Sequence, residues 1–144
     1  MSRNEVNEIL TRYKRIAIVG VSRDSSKDSY HVAEYLQTHG YQIIPVNPFA
    51  EEVLGQRCYP SLLDTPADVQ RTLEVVDVFR PSEEVLPIMK QTIQLKSLHG
   101  MPYVVWMQLG IINQQAAEMG RRVGLRVIMD KCMMQEHRRL FTAS

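Results

Sequence analysis

The stretch IAIVGVSRDSSKDSYHVAEYL, residues 16–36, decides the fold. An unbroken apolar run, IAIV, meets a turn at Gly20, and a helical pattern follows from Tyr30 to His39, closed by Gly40. A short aliphatic run without polar alternation suits a strand covered on both faces. YQIIPV, residues 41–46, repeats that signature, so the three segments predict one βαβ unit. The loop departs from the dinucleotide fingerprint GxGxxG: only Gly20 is present, and Ser22 and Ser25 occupy the other two glycine places.

The pattern continues on both sides. Ser2 and Glu5 have capping-box spacing, and Val6, Ile9, Leu10 and Tyr13 recur at helical intervals, which predicts an amphipathic helix packed outside the sheet. Residues 47–69 contain Pro48, Gly55, Pro60 and Pro66 and read as an extended connection with at most a turn or two of helix. LEVVDVF is the third expected strand. Ser82, Glu83 and Glu84 then open a helix that must begin in earnest near Pro87, run to Leu98 and stop at Gly100 and Pro102. YVVWM is the fourth strand, and a helix from about Asn113 to Val123 ends at Gly124. LRVIM is the fifth, followed by a last helix from Met133 to Leu140. Strands alternating with helices predict an α/β, Rossmann-like, doubly wound five-stranded parallel sheet with helices on both faces.

The chain of 144 residues is long enough to bury a core as one domain, residues 1–144, without disulfide or metal support. Its net charge of +1 gives no basic field for nucleic acid, so any anion site is local. MSRNEVNEIL is too polar and acidic for a signal peptide, and no apolar run has the length of a membrane span, so a cytoplasmic protein without membrane attachment is expected. Cys58 and Cys132 form no CxxC pair and read as packed thiols; no metal site is expected.

In a doubly wound sheet ligands sit beyond the carboxyl ends of the strands, where the winding reverses. The residues to weigh are therefore Gly20 to Tyr30, Asn47 and Pro48, Phe79 and Arg80, Gln108 to Gly110, and Asp130 to Cys132. A tight turn at Gly20, hydroxyls on Ser22, Ser25, Ser26 and Ser29, cations on Arg23 and Lys27, and the free amides of a helix N-terminus suit a diphosphate. The plain alternative is a solvated loop with Ser29 as N-cap. Arg80 has the fork geometry for phosphate, or for a surface ion pair with Glu83 or Glu84. Tyr30 and Phe79 suit apolar walls or simply core. The acid that binds a ribose diol after the second strand is missing from PVNP, which argues against NAD.

Taken together, IAIVGVSRDSSKDSYHVAEYL with HGYQIIPVNP, EEVLGQRCYPSLLD, VVDVFRPSEEV and VVWMQLGIINQQAAEMGRRVGLRVIMDKCMMQEHRRL, in this order over nearly the whole chain, resemble the CoA-binding domain family. Its members are small proteins similar in fold to the CoA-binding part of the succinyl-CoA synthetase alpha subunit. The resemblance implies binding of CoA or acyl-CoA, with the diphosphate near Gly20, Val21, Ser22 and Arg23, and with Asn47, Pro48, Phe79, Arg80 and Gln108 lining the nucleotide and pantetheine path. CoA's 3′-phosphate also accounts for the missing ribose-binding acid.

Two departures stand out. Relatives commonly carry Lys or Arg after VNP, where this chain has Phe49; losing one charged hydrogen bond costs roughly 1.5 to 3 kcal/mol, for which Lys27 or Arg57 can substitute. The stretch from Gln94 to Pro102 is longer than the usual family connection. No catalytic set is legible: His31, His39, His99 and His137 have no relay spacing, Asp77 and Asp130 form no acid–base pair, and Cys132 is the one candidate nucleophile near the crevice, through disulfide exchange or activation by Lys131. Three functions stay open: a CoA-binding module without catalysis of its own, an NAD(P) or other nucleotide binder, and a small acyl-CoA enzyme or partner subunit. A homodimer is compatible with so small a domain.

Overall fold

A computed structural model describes residues 3–142. The main sheet has five parallel strands, β1 (Arg15–Val19), β2 (Gln42–Val46), β5 (Val75–Val78), β6 (Val104–Met107) and β7 (Arg126–Ile128), in the spatial order β2-β1-β5-β6-β7. Two further strands, β3 (Glu52–Val53) and β4 (Gln56–Arg57), form a separate antiparallel hairpin. The helices are α1 (Arg3–Arg12), α2 (Asp28–Thr38), α3 (Ala67–Gln70), α4 (Val85–His99), α5 (Gln114–Arg122) and α6 (Met133–Thr142).

Strand pleat divides the side chains between two cores. Ile16, Ile18, Val75, Val104 and Trp106 face α1, α2 and α6, whereas Ala17, Val19, Val76, Val78, Val105 and Met107 face α4 and α5. The alternation explains why the strands read as continuous apolar runs: both faces are covered. From β1 the chain winds outward to β2 and then returns across β1 to β5. The reversal places the crevice between the carboxyl ends of β1 and β5.

The expected Rossmann-like parallel sheet is therefore present, with the strands in the expected order along the chain. Pro87 stands third in α4, within the first turn where no amide needs an intrahelical acceptor, and Ser82–Glu84 form a 3₁₀ turn ahead of it. The connection after β2 holds more structure than expected. The hairpin turns on Leu54 and Gly55, both at positive φ, and a 3₁₀ turn at Leu62–Asp64 precedes α3. Strands of two residues are too short to show alternation, so their sequence carried no period to read. The Ser2 side of the expected capping box lies outside the described residues.

Candidate functional site

The crevice is built around Gly20. Its amide donates to Val46 O at 2.8 Å, which ties the end of β1 to the end of β2, and the backbone turns there at φ 92°. A Cβ at this position would lie 2.8 Å from Cδ of Arg80 and 3.2 Å from the Phe79 carbonyl carbon. Glycine thus lets the β5 edge close over the turn; a larger residue would prise the two strand ends apart.

Beyond Gly20 the loop is held by its own polar groups. Ser22 N donates to Ser29 Oγ at 2.9 Å, and Asp24 N to Ser22 Oγ at 3.0 Å. The Asp24 carboxylate accepts from Ser26 N at 2.9 Å and from Ser26 Oγ at 2.8 Å; the backbone bond is the larger cause that holds its pKa below the ordinary value. Ser29 is not the N-cap. The helix begins one residue before it, at Asp28 with Lys27 as its N-cap, because the Asp24–Lys27 turn delivers the chain already in helical register, and Ser29 is buried as the pin under the loop. The first intrahelical bond of α2 runs from His31 N to Lys27 O, so the amides of its first turn remain for water or an anion. Arg23 and Lys27 are exposed.

Asn47 acts as a brace. Its Nδ2 donates to Val21 O at 2.7 Å, and its Oδ1 accepts from Phe49 N at 2.7 Å. Val21 itself is fully buried, so only its backbone belongs to the site. Arg80 lies across Gly20 and directs Nη2 to both carboxylate oxygens of Glu84, at 3.0 and 2.9 Å.

Two cavities flank this centre. One, of about 470 Å³, lies on the β2 side between Gly20, Asn47, Pro48, Phe49, Arg80 and the α4 residues Pro87 and Ile88. The other, of about 300 Å³, lies on the β6 side, with Asp28 and His31 of α2, Phe79, Gln108, Leu109 and Cys132 in its wall. Gln108 is buried, its Oε1 accepting from Met133 N at 2.9 Å. Of the residues singled out from sequence, Gly20, Asn47, Pro48 and Arg80 meet in the first cavity and Phe79 and Gln108 in the second. Tyr30 packs half-buried against the core and lines neither. Phe49, 82% exposed, stands at the rim where a cation was expected from the resemblance, and Arg57 borders a neighbouring basin with Pro48 and Pro60.

Sequence reading gave Asp24 no role within the loop it singled out, and did not find Pro87, Ile88 or Leu62 as parts of the site. Asp24 had a signal, an acid two residues before a serine in a polar loop, which is the spacing of an Asx turn. The α4 wall had none, because its register against β1 is set by packing. Elsewhere, no three His, Cys, Asp or Glu side chains converge as a metal site among the described residues, and no helix among them is long and apolar enough to cross a membrane.

Comparison with known proteins gives the family and the fold. Residues 14–138 match the model of the CoA binding domain family. An uncharacterized protein of Bacillus subtilis strain 168, YneT, is 36% identical over 136 residues, covering 94% of each chain. An ADP-forming acetate–CoA ligase of Archaeoglobus fulgidus is 32% identical over 112 residues, which are 76% of this chain but only 16% of the ligase. Among solved structures, a hypothetical protein of Pyrococcus horikoshii OT3 has a TM-score of 0.87 at 40% identity, covering 98% of this chain and 93% of that one. The glycine turn under Arg80, the serine-pinned loop and the family match lead to one conclusion: the chain belongs to the CoA-binding domain family.

Proposed function

We propose that the protein binds CoA or an acyl-CoA across the carboxyl edge of its sheet, as a carrier, sensor or partner module without catalysis of its own. The observation that carries this reading is the closure of Arg80 over Gly20 beside the open first turn of α2, with a cavity on either side. Glycine lets the Arg80 side chain pack against the turn, and the free first-turn amides of α2 beside it suit backbone contact with a diphosphate.

CoA fits the division of the crevice. Gly20, Ser22, Arg23 and the α2 amides would hold the diphosphate, with Lys27 and Ser29 completing the loop, one as a nearby charge and the other as its buried pin. The cavity at Asn47, Pro48 and Arg80 would take the phosphorylated adenosine, and the path past Phe79 to Gln108 would take the pantetheine arm. Arg80 can reach a phosphate only by leaving or sharing Glu84, so binding exchanges one carboxylate for one phosphate on the same guanidinium.

The acetate–CoA ligase supports the partner-module variant, since a stretch matching this chain is a small part of a protein named as an ADP-forming ligase of acetate and CoA. Isothermal titration with CoA, dephospho-CoA and NAD tests the reading. Micromolar CoA binding, weaker dephospho-CoA binding and no NAD binding are expected; silence with CoA at millimolar concentration overturns it.

A further inference from the structure

We propose that the cavity on the β6 side is a thiol compartment in which Cys132 captures CoA as a mixed disulfide, by exchange with a CoA disulfide. The inference rests on the CoA reading above and adds a covalent, redox-responsive capacity to it.

The cavity runs from the first turn of α2, at Asp28 and His31, inward past Phe79 and Gln108 to Cys132. Asp28 and His31 put its mouth at the first turn of α2, so an arm anchored there by its diphosphate and turned to the β6 side meets a sulfur. Cys132 is free and only 8% exposed. It stands immediately before α6, and the amides of Gln135 and Met134 are directed at its sulfur, an arrangement that stabilises a thiolate. Burial opposes them and prevails, so the thiol stays above its ordinary pKa. Small diffusing disulfides therefore find a protonated, sheltered group, and an anchored disulfide held against it has the advantage of proximity.

A second buried group shares the core face of Cys132. Asp77, on β5, is fully buried, and neither carboxylate oxygen has a hydrogen-bond partner. Strand alternation sends it, like Val75, to the face occupied by Cys132 and Met133, and burial favours its protonated form, whereas its charge would push the Cys132 thiol further up. An unpartnered acid in a core is costly and nothing in the packing of the sheet calls for it. Cys58 lacks this setting: its Sγ donates to Asn47 O at 3.5 Å, and it borders a separate basin with Arg57 and Pro60.

The exchange balances without a further oxidant. The Cys132 thiolate attacks one sulfur of a CoA disulfide, either the symmetrical dimer or CoA joined to a small thiol. The existing S–S bond breaks as the new one forms, and the departing thiolate takes up a proton. Excess thiol reverses the step.

The test uses intact-protein mass spectrometry after incubation with CoA disulfide, and with glutathione disulfide as a probe lacking the nucleotide anchor. Wild type, Cys132→Ser, Cys132→Ala and Cys58→Ser are compared, each checked for folding by thermal melting and for CoA binding by calorimetry. One CoA adduct, removed by dithiothreitol, is expected on wild type and Cys58→Ser and absent from both Cys132 variants. It should form about tenfold or more faster with CoA disulfide than with glutathione disulfide, and acetyl-CoA, which has no free thiol, should slow it. Intact CoA binding with no adduct, with an adduct on Cys58, or with equal rates for the two disulfides overturns the compartment while leaving the CoA reading in place. Absence of CoA binding itself overturns both.

Discussion

Glu84 occupies the guanidinium of Arg80 with both of its carboxylate oxygens, at 3.0 and 2.9 Å from a single Nη2. The pair is nearly half exposed, 44% and 45% for the two side chains, so it contributes little to stability. Its effect is on the ligand: the cation best placed over the glycine turn is already spoken for. Glu84→Gln should release Arg80 and tighten CoA binding several-fold, whereas Arg80→Ala should weaken it by about tenfold or more, with both proteins melting within a few degrees of wild type. Calorimetry paired with thermal melting checks this, and equal affinities for both variants would contradict it.

Gly20→Ala should damage both fold and binding. The turn requires φ 92°, and the new Cβ would meet Arg80 Cδ and the Phe79 backbone. A loss of about 1 to 3 kcal/mol in urea unfolding is expected, with CoA affinity reduced in protein that is still folded. Arg80→Ala on top of it should recover only part of the stability, because the Phe79 carbonyl carbon at 3.2 Å stays in place.

Phe49→Lys should strengthen binding in a salt-dependent way. Phe49 is 82% exposed at the rim of the β2-side cavity, so the exchange costs no packing. A gain that appears for CoA and not for dephospho-CoA would place the new charge against the 3′-phosphate; an equal gain for both would locate it elsewhere.

These expectations follow from features that differ in how openly the sequence shows them. The βαβ start, the strand order along the chain and Gly20 could be read directly, because periodicity and a positive-φ turn are local properties. The crossing of the chain back over β1, which creates the crevice, is seen only in the spatial strand order; handedness then puts the helices of the two directions on opposite faces. What could not be read is whatever depends on two distant segments meeting. Asn47 presents as a loop residue, yet both ends of its side chain are committed to bracing Val21 and Phe49. Ser29 presents as a cap, yet it is a buried pin, because the turn at Asp24 had already started the helix. The β2-side cavity owes its far wall to α4, whose approach is fixed by Met89 and Leu95 in the core and by no motif.

Stability should fall toward acid through His137. The ring is buried among Tyr35, His39, Tyr41 and Phe141, with Nδ1 2.8 Å from Tyr35 Oη. Burial, then the nearby His39 and Lys14, hold its pKa below the ordinary value. The folded state therefore favours neutral imidazole, and its contribution is lost as pH falls below the unfolded pKa of about 6.5. Urea unfolding from pH 7.5 to 5 should show the decline, and His137→Asn should flatten it.

Asp77 has the opposite sign. Burial raises its pKa well above the ordinary value, so the folded state favours the protonated acid, and stability falls as pH rises above the unfolded pKa of about 3.9. Asp77→Val removes an unpartnered carboxyl from the core. It should stabilise the protein by about 1 to 3 kcal/mol at neutral pH, less in acid, as read by urea unfolding. A variant less stable than wild type at pH 7.5 would show that the carboxyl is satisfied in a way the packing does not reveal.

The most direct measurement is a crystal of the protein grown with CoA. The diphosphate should lie on the Gly20 turn and the first amides of α2, with the adenosine toward Asn47 and Arg80 and the arm toward Gln108. A diphosphate bound elsewhere, or an arm running away from the β6 side, would contradict the account.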